Sequence, residues 1–382
     1  MKTCLYSRQI LWEETFCEGY VVFEDGKIQA LYPEKPLADV YYDFGDRYVL
    51  PGFIDMHLHG GSGCDFSSAD AKGFKTAVDF HLAHGTTTLL PTITSGAIEA
   101  METALQNFVR FKTQETTLAT VPGVHLEGPF FSVKQCGAQD PAVITAPKEA
   151  VYTRLLAQYG DSISRWSYAP ERDEDNAFVT ALCNASVLPS AGHTDATYTQ
   201  MITAADNGCT MVTHLYSCTS TVIREKGFRH GGVLEAALLR DDVVAELIAD
   251  GCHLPPELIQ LVYKMKGADA ITLCTDALAV TGTDATETFV GGVACVVEDG
   301  VCFLKDRTAF AGSIATTDRL LRFCVQDVGL PITEVSKMLS ATPARLLGLS
   351  KGKVASGLDA DVVVLDVDLS VFAVFAGGEK VS

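Results

Sequence analysis

Histidines and carboxylates in this chain collect at the ends of apolar runs. His57 and His59 stand two residues apart in Pro51-Gly52-Phe53-Ile54-Asp55-Met56-His57-Leu58-His59-Gly60-Gly61. Side chains alternate faces along an extended strand, so both imidazoles point to the same side. Imidazole is the commonest nitrogen ligand for borderline metals; the competing reading is a pair of core histidines satisfied by backbone groups. Glu127 shares a face with His125 in His125-Leu126-Glu127-Gly128-Pro129. A carboxylate in so apolar a context needs a cation or a donor to stay charged, so it ligates a metal or pairs with Lys or Arg. His125, one pleat deeper, reads as a packing or supporting residue.

His193 closes Ala191-Gly192-His193, and His214 lies in Val212-Thr213-His214-Leu215-Tyr216. Two histidines on adjacent strands, with Glu127 across from them, can converge on one ion and leave a coordination position open to water, as catalytic sites require. Asp276 ends the run Leu273-Cys274-Thr275-Asp276. Beside such an ion it can take a proton from water and pass it to a leaving group; its plainer role is to cap a following helix. Counting His253, five of the nine histidines lie at or just past a strand-like run. His81 reads as packing on a helix face, His84 as a residue of a last helical turn, and His230 as solvated.

The elements that must position these groups are eight strand-like runs: 53–59, 87–92, 123–127, 163–169, 187–193, 211–216, 243–249 and 271–275. Helical patterns separate several of them. Between 69 and 84, Phe74, Ala77, Val78 and His81 share one face, and Gly85 supplies the stop. This alternation predicts an α/β fold of the (β/α)8 barrel type, whose active sites lie at the C-terminal ends of the strands. The first fifty residues read instead as short strands with a hairpin at Asp25-Gly26. The last thirty read likewise, through Val362–Leu365 and Val371–Phe375. Each end is too small to fold alone, so the two are expected to pair into one small β-sandwich. The expected division is 1–50 with 345–382 as that sandwich, and 51–344 as the catalytic barrel.

The 382 residues are 47% hydrophobic and 20% charged, enough for a large core. Against 48 acidic residues stand 29 basic ones, a net charge of −19. That field repels nucleic acid and anionic membrane, so neither is an expected partner, and an anionic substrate needs a local basic pocket. No apolar run has the length of a membrane span, and Met1–Glu14 lacks a signal-like stretch; the expected location is the cytoplasm. The twelve cysteines include no Cys-x-x-Cys pair and read as reduced thiols.

Taken together, Pro51–Gly60, His125–Phe130, Gly192-His193-Thr194, Thr213–Tyr216, Asp250-Gly251-Cys252-His253, Thr275-Asp276-Ala277, Ala311-Gly312-Ser313 and Ala341–Arg345 resemble the amidohydrolase superfamily, and within it the N-acetylglucosamine-6-phosphate deacetylase family. The resemblance runs nearly end to end. It implies a barrel with a small β-sandwich, a homodimer, and removal of acetate from an amino-sugar phosphate. It also implies a divalent metal (Zn, Fe, Mn or Co) on Glu127, His193 and His214. His57 and His59 would hold a second ion bridged by Glu127, so one or two ions are expected.

Two stretches depart from the family. Gln139, in Gly137-Ala138-Gln139, stands where members usually carry the His that polarises the acetyl carbonyl. Ser217-Cys218-Thr219 replaces the usual Asn-Ala-Met of the phosphate site. Arg224 is the best match to the phosphate-binding Arg but one position out of register, with Lys226 and Arg229 nearby. Ala138, Gln139, Ser217, Cys218, Arg224 and His253 are therefore the expected substrate contacts, and Asp276 the expected base and acid. The first rival is another amidohydrolase reaction on the same metal: cyclic-amide opening, N-acyl amino acid hydrolysis or deamination. The second is a scaffold that kept the barrel and lost the chemistry, although such a protein has no physical reason to keep converging polar groups.

Overall fold

The computed structural model describes residues 1–381. Ser382, the last residue of the segment read as the small domain, lies outside the described residues. Eight parallel strands form the expected barrel: Phe53–Leu58, Thr86–Thr94, Val124–Glu127, Ile163–Tyr168, Leu188–Ala191, Met211–Val212, Val244–Ile248 and Ile271–Cys274. They pair in chain order, and each overlaps one of the eight sequence runs. A helix follows every strand, from Ala71–Ala83 after the first to Thr317–Gln326 after the eighth. The first helix shows why the pattern works. The Asp70 side chain accepts the Gly73 N–H at 2.9 Å to start it. Phe74, Ala77, Val78 and His81 are buried on one stripe. Gly85, at φ 93°, turns the chain away.

The ring closes between the first and eighth strands at the very end where the polar residues lie. Asp276 N–H donates to the His57 carbonyl at 2.9 Å, and His59 N–H to the Ala277 carbonyl at 2.8 Å. Beneath them the Asp55 carboxylate accepts the Thr275 hydroxyl at 2.6 Å. Closure therefore fixes the spacing of His57, His59 and Asp276. Inside the barrel, buried polar side chains recur at alternate positions: Asp55, His57 and His59; His125 and Glu127; Arg165 and Ser167. The intervening residues face the helices and supply the main apolar core, among them Leu58, Leu126 and Trp166.

A second sheet draws on both ends of the chain. Lys2–Trp12 pairs antiparallel with Thr15–Glu24 on one edge. On the other edge it pairs parallel with Val40–Asp43 and then with Tyr48–Pro51. Val362–Leu365 adds to Tyr48–Pro51, and Val371–Ala376 to Val362–Leu365. The expected hairpin turns at Asp25 and Gly26, with φ 53° and 73°, the left-handed pair that a two-residue turn demands. Leu5, Val21, Phe23, Val49, Val364 and Phe375 meet in one core. Lys351 fastens this sheet to the barrel. Its buried ammonium donates to Asp361 at 2.6 Å, to Thr120 at 2.7 Å and to Thr88 on the second barrel strand at 3.2 Å.

A four-stranded antiparallel sheet, Glu287–Val290, Val293–Glu298, Val301–Leu304 and Phe310–Ser313, enters after the eighth barrel strand. The eight-run reading of the sequence contains no such insertion. Its last strand runs back to the barrel, where Ser313 N–H donates to the Asp276 carbonyl at 2.9 Å. Among the described residues, no helix is long and apolar enough to cross a membrane.

Candidate active site

A cavity of about 210 Å³ opens at the C-terminal end of the barrel. His59, Glu127, His193, His214, Asp276, Ala138, Gln139, Ser217, Cys218 and His253 all line it, so ten of the residues singled out in the sequence meet in one place. His57 is fully buried immediately beneath. Arg224 is not among the lining residues; it is exposed on a hairpin, Ile223–Glu225 with Phe228–His230, in the loop after the sixth strand. Lys226 and Arg229 share that exposed hairpin.

The backbone works to deliver these side chains. His193, His214 and Asp276 each lie just past a barrel strand with φ of 46°, 30° and 49°. Left-handed backbone is uncommon for residues other than Gly, though His and Asp are among those that tolerate it, and it clusters where function demands a sharp redirection. Gly137 shares that backbone region. A Cβ there would stand 2.6 Å from Cys218 Sγ and 3.5 Å from His193 Cε1. The first contact is with the rotatable tip of Cys218 and the second is ordinary van der Waals distance, so it is the left-handed φ of 57° that favours Gly in the loop bearing Ala138 and Gln139.

Glu127 is the centre of the cluster. Nε2 of His193 and Nε2 of His214 each lie 3.1 Å from its Oε1. Nε2 of His57 lies 3.4 Å from the same oxygen, and Nε2 of His59 lies 3.5 Å from Oε2. The two strand-one imidazoles approach each other to 3.3 Å through Nε2. Asp276 Oδ1 stands 3.1 Å from His59 Nε2 and 3.5 Å from His57 Nε2. Every opposite ring nitrogen already has a partner. His193 Nδ1 meets the Gln135 carbonyl at 2.9 Å, and His214 Nδ1 the Ser217 carbonyl at 3.1 Å. His59 Nδ1 meets the Thr94 hydroxyl at 2.8 Å, and His57 Nδ1 the Glu246 carboxylate at 3.2 Å.

A carbonyl or carboxylate can only accept, so it holds the proton of a neutral imidazole on Nδ1 and turns a bare Nε2 lone pair inward. The ring nitrogens of His57, His193 and His214 and two carboxylates then converge as acceptors, with Nε2 of His59, whose Nδ1 faces a hydroxyl, beside them. Such a set is unfavourable unless a cation sits among them, and buried partners on the far nitrogen are the usual support of metal-binding histidines. The residues present thus fit a divalent metal with nitrogen and oxygen ligands. His57, His59 and Asp276 form one group with ligand atoms mutually within 4.8 Å, and His57, Glu127 and His214 another.

The titration behaviour agrees. Burial pushes His57 down, but Glu127, Glu246 and Asp276 overcome it and leave the imidazole raised to about 10. Burial likewise raises Glu127, yet the facing histidines hold it well below the usual carboxylate range. Positive charge is strongly favoured here, whether as protons or as a metal.

Several contributors escape a reading of strand ends. Thr94 aims His59, and Ser95 donates its hydroxyl to the Glu127 carbonyl at 2.9 Å. Phe310 packs on His253 at a centroid distance of 4.8 Å, while Asp250 holds His253 Nδ1 at 2.8 Å. Below the cluster lies a buried ion pair, Arg165 with Glu246. A lone Glu inside Val243-Val244-Ala245-Glu246-Leu247-Ile248 is itself a signal, since a charge within a buried strand needs a partner.

Comparison with known proteins points the same way. Residues 48–381 match the amidohydrolase family. The chain is 34% identical over 360 residues to N-acetylglucosamine-6-phosphate deacetylase of Lysinibacillus sphaericus, covering 94% of this chain and 92% of that protein. It is 32% identical to the Bacillus subtilis deacetylase of the same name, covering 96% and 93%. The fold superposes on the crystal structure of N-acetyl-D-glucosamine-6-phosphate deacetylase from Mycobacterium smegmatis with a TM-score of 0.92 at 32% identity, over all of both chains. A barrel mouth built to gather acceptors around a cation, on a chain that matches from residue 48 to residue 381, has one conclusion: this protein belongs to the amidohydrolase family.

Proposed function

We propose that this hydrolase removes the acetyl group from an N-acetyl amino-sugar 6-phosphate, with N-acetylglucosamine 6-phosphate as the first substrate to test. The observation that carries the reading is the convergence of His57, His59, His193 and His214 on Glu127, with Asp276 at its edge. Similarity over more than nine-tenths of the chain to deacetylases of that substrate supports the choice of amide. Glu127, His193 and His214 would hold the main metal; His57 and His59, with Glu127 between, would hold a second. A divalent cation supplies the Lewis acidity that makes water nucleophilic near neutral pH.

The chain's own residues do the rest. Asp276 takes the proton of the attacking water and returns it to the departing nitrogen. The Gln139 amide carries two hydrogens; one goes to Glu127, and the other is offered to the acetyl oxygen as its charge develops. His253, held by Asp250 and packed on Phe310, orients the sugar. The loop at Ser217 and Cys218, with Arg224, Lys226 and Arg229 on the neighbouring hairpin, supplies the phosphate contacts against the overall negative charge. A phosphorylated sugar does not cross a membrane unaided, so the proposed workplace is the cytoplasm. The family resemblance supports a homodimer, which light scattering tests.

The deciding experiment compares phosphorylated and unphosphorylated N-acetyl sugars on metal-stripped enzyme with metal added back. Acetate release that requires both metal and phosphate is the expected result. Equal rates without the phosphate would remove the proposed substrate class, and activity without metal would remove the mechanism.

A further inference from the structure

The ion pair under the cluster does more than fill the barrel. Arg165, on the fourth strand, and Glu246, on the seventh, are both fully buried. The guanidinium meets the carboxylate as a fork: Nη1 donates to Oε1, and Nη2 to Oε2 at 2.9 Å. Arg165 also donates to the Met56 carbonyl at 3.2 Å, the Thr213 hydroxyl at 2.9 Å and the Ser190 hydroxyl at 3.1 Å. It therefore ties the first, fifth and sixth strands to the seventh. A buried pair of this kind can often be exchanged for apolar residues of like volume without loss of stability, so packing gives no reason for its presence. The reason lies in what Glu246 touches beyond Arg165.

Oε2 of Glu246 accepts from His57 Nδ1 at 3.2 Å and from the backbone N–H of His214 at 3.2 Å. The His214 turn has separate support, because the Leu215 N–H donates to the Glu246 backbone carbonyl at 2.7 Å. For the His57 ring, Glu246 is the Nδ1 partner. We propose that Glu246, clamped by Arg165, is a positioning residue that fixes the His57 ring and its Nδ1–H form, so that Nε2 is presented to the cation shared with His59. The inference rests on the metal-hydrolase reading above and assigns a role that neither residue makes visible at the mouth, since neither lines the cavity.

The test uses zinc alone as probe. Full-length, metal-stripped protein is titrated against a competing chelator, and bound zinc is counted by elemental mass spectrometry. The variants are Glu246→Gln and the double variant Arg165→Met/Glu246→Met. The double variant is needed because Glu246→Gln leaves a buried guanidinium uncompensated and risks misfolding. Wild-type protein should bind two equivalents. Folded variants should keep the first at wild-type affinity and weaken the second by about 10- to 100-fold, the usual cost of losing a partner behind a metal-binding histidine. A general structural defect would weaken both together, and that result overturns the proposal. Unchanged binding of both equivalents by the folded double variant also overturns it, as does a wild type that binds only one. Wild-type protein that binds no zinc sinks instead the metal-hydrolase reading on which this rests.

Discussion

The Gln139 amide donates to Oε2 of Glu127 across 2.8 Å, twelve residues back along the chain. Its own oxygen accepts the Ser95 N–H at 3.2 Å, so the amide orientation is fixed from both ends. In the proposed mechanism Gln139 carries two duties, holding the central carboxylate and offering its remaining hydrogen to substrate. Gln139→Ala should lower kcat by about a hundredfold, the range seen when one preorganised donor is removed. Steady-state kinetics at saturating metal measures this. A drop of less than about threefold would take Gln139 out of the chemistry.

Asp276 faces two imidazoles, and their proximity overcomes burial to hold its carboxyl below the ordinary value. In the proposed mechanism it therefore starts each turnover ionised and ready to accept a proton. Asp276→Asn keeps the shape and removes the base. We expect kcat to fall by about a thousandfold, while the equivalent of metal on Glu127, His193 and His214 is retained. Parallel rate and metal measurements separate the two effects. Near-normal turnover with full metal content would reassign the proton transfer to another group.

The barrel and its mouth are legible in the sequence because period-two alternation and strand ends constrain side chains tightly. His57 and His59 share a face by parity alone, and His193, His214 and Asp276 follow from where apolar runs stop. What is not legible depends on contacts between distant strands. Arg165 and Glu246 are 81 residues apart, and nothing in either local sequence names the other. The inserted sheet at 287–313 escapes for another reason. Its strands alternate with exposed positions such as Phe289 and interrupt the last β/α unit between the eighth strand and its helix, where the repeat pattern gives no instruction. Arg224 falls on an exposed hairpin rather than in the cavity wall, and sequence position alone does not set which surface that hairpin presents to a substrate.

His81 is fully buried, and one ring nitrogen is 2.8 Å from the Gly60 carbonyl. Among the described residues, its Nδ1 meets no hydrogen-bond partner. Burial is the largest influence on it and pushes its pKa down to about 4. In the unfolded chain a histidine protonates near about 6.5, so acid favours unfolding. The stabilisation is complete above the unfolded value and is lost as pH falls toward the folded one. Between about pH 7.5 and about pH 5 the loss is about 2 kcal/mol. Denaturant titrations of wild type and His81→Gln at both pH values measure it. The variant should show a pH dependence smaller by that amount; an identical dependence would mean the buried ring titrates normally.

Lys351 and Asp361 are both nearly buried, 7% and 5% exposed, and their 2.6 Å contact holds in place the ammonium that reaches Thr88 on the second barrel strand. Lys351→Met removes the cation and strands a carboxylate that the remaining Gly377 N–H, at 2.8 Å, cannot neutralise. Breaking a buried pair from one side costs about 3–5 kcal/mol, so the melting temperature should fall by several degrees. Adding Asp361→Asn removes the stranded charge while an amide oxygen still accepts from Gly377. The double variant should therefore recover a large part of the loss, a coupling that a double-mutant cycle measures directly. If the losses of the two single variants simply add, the pair is not what fastens the two sheets, and the hydroxyls of Thr88 and Thr120 carry that role.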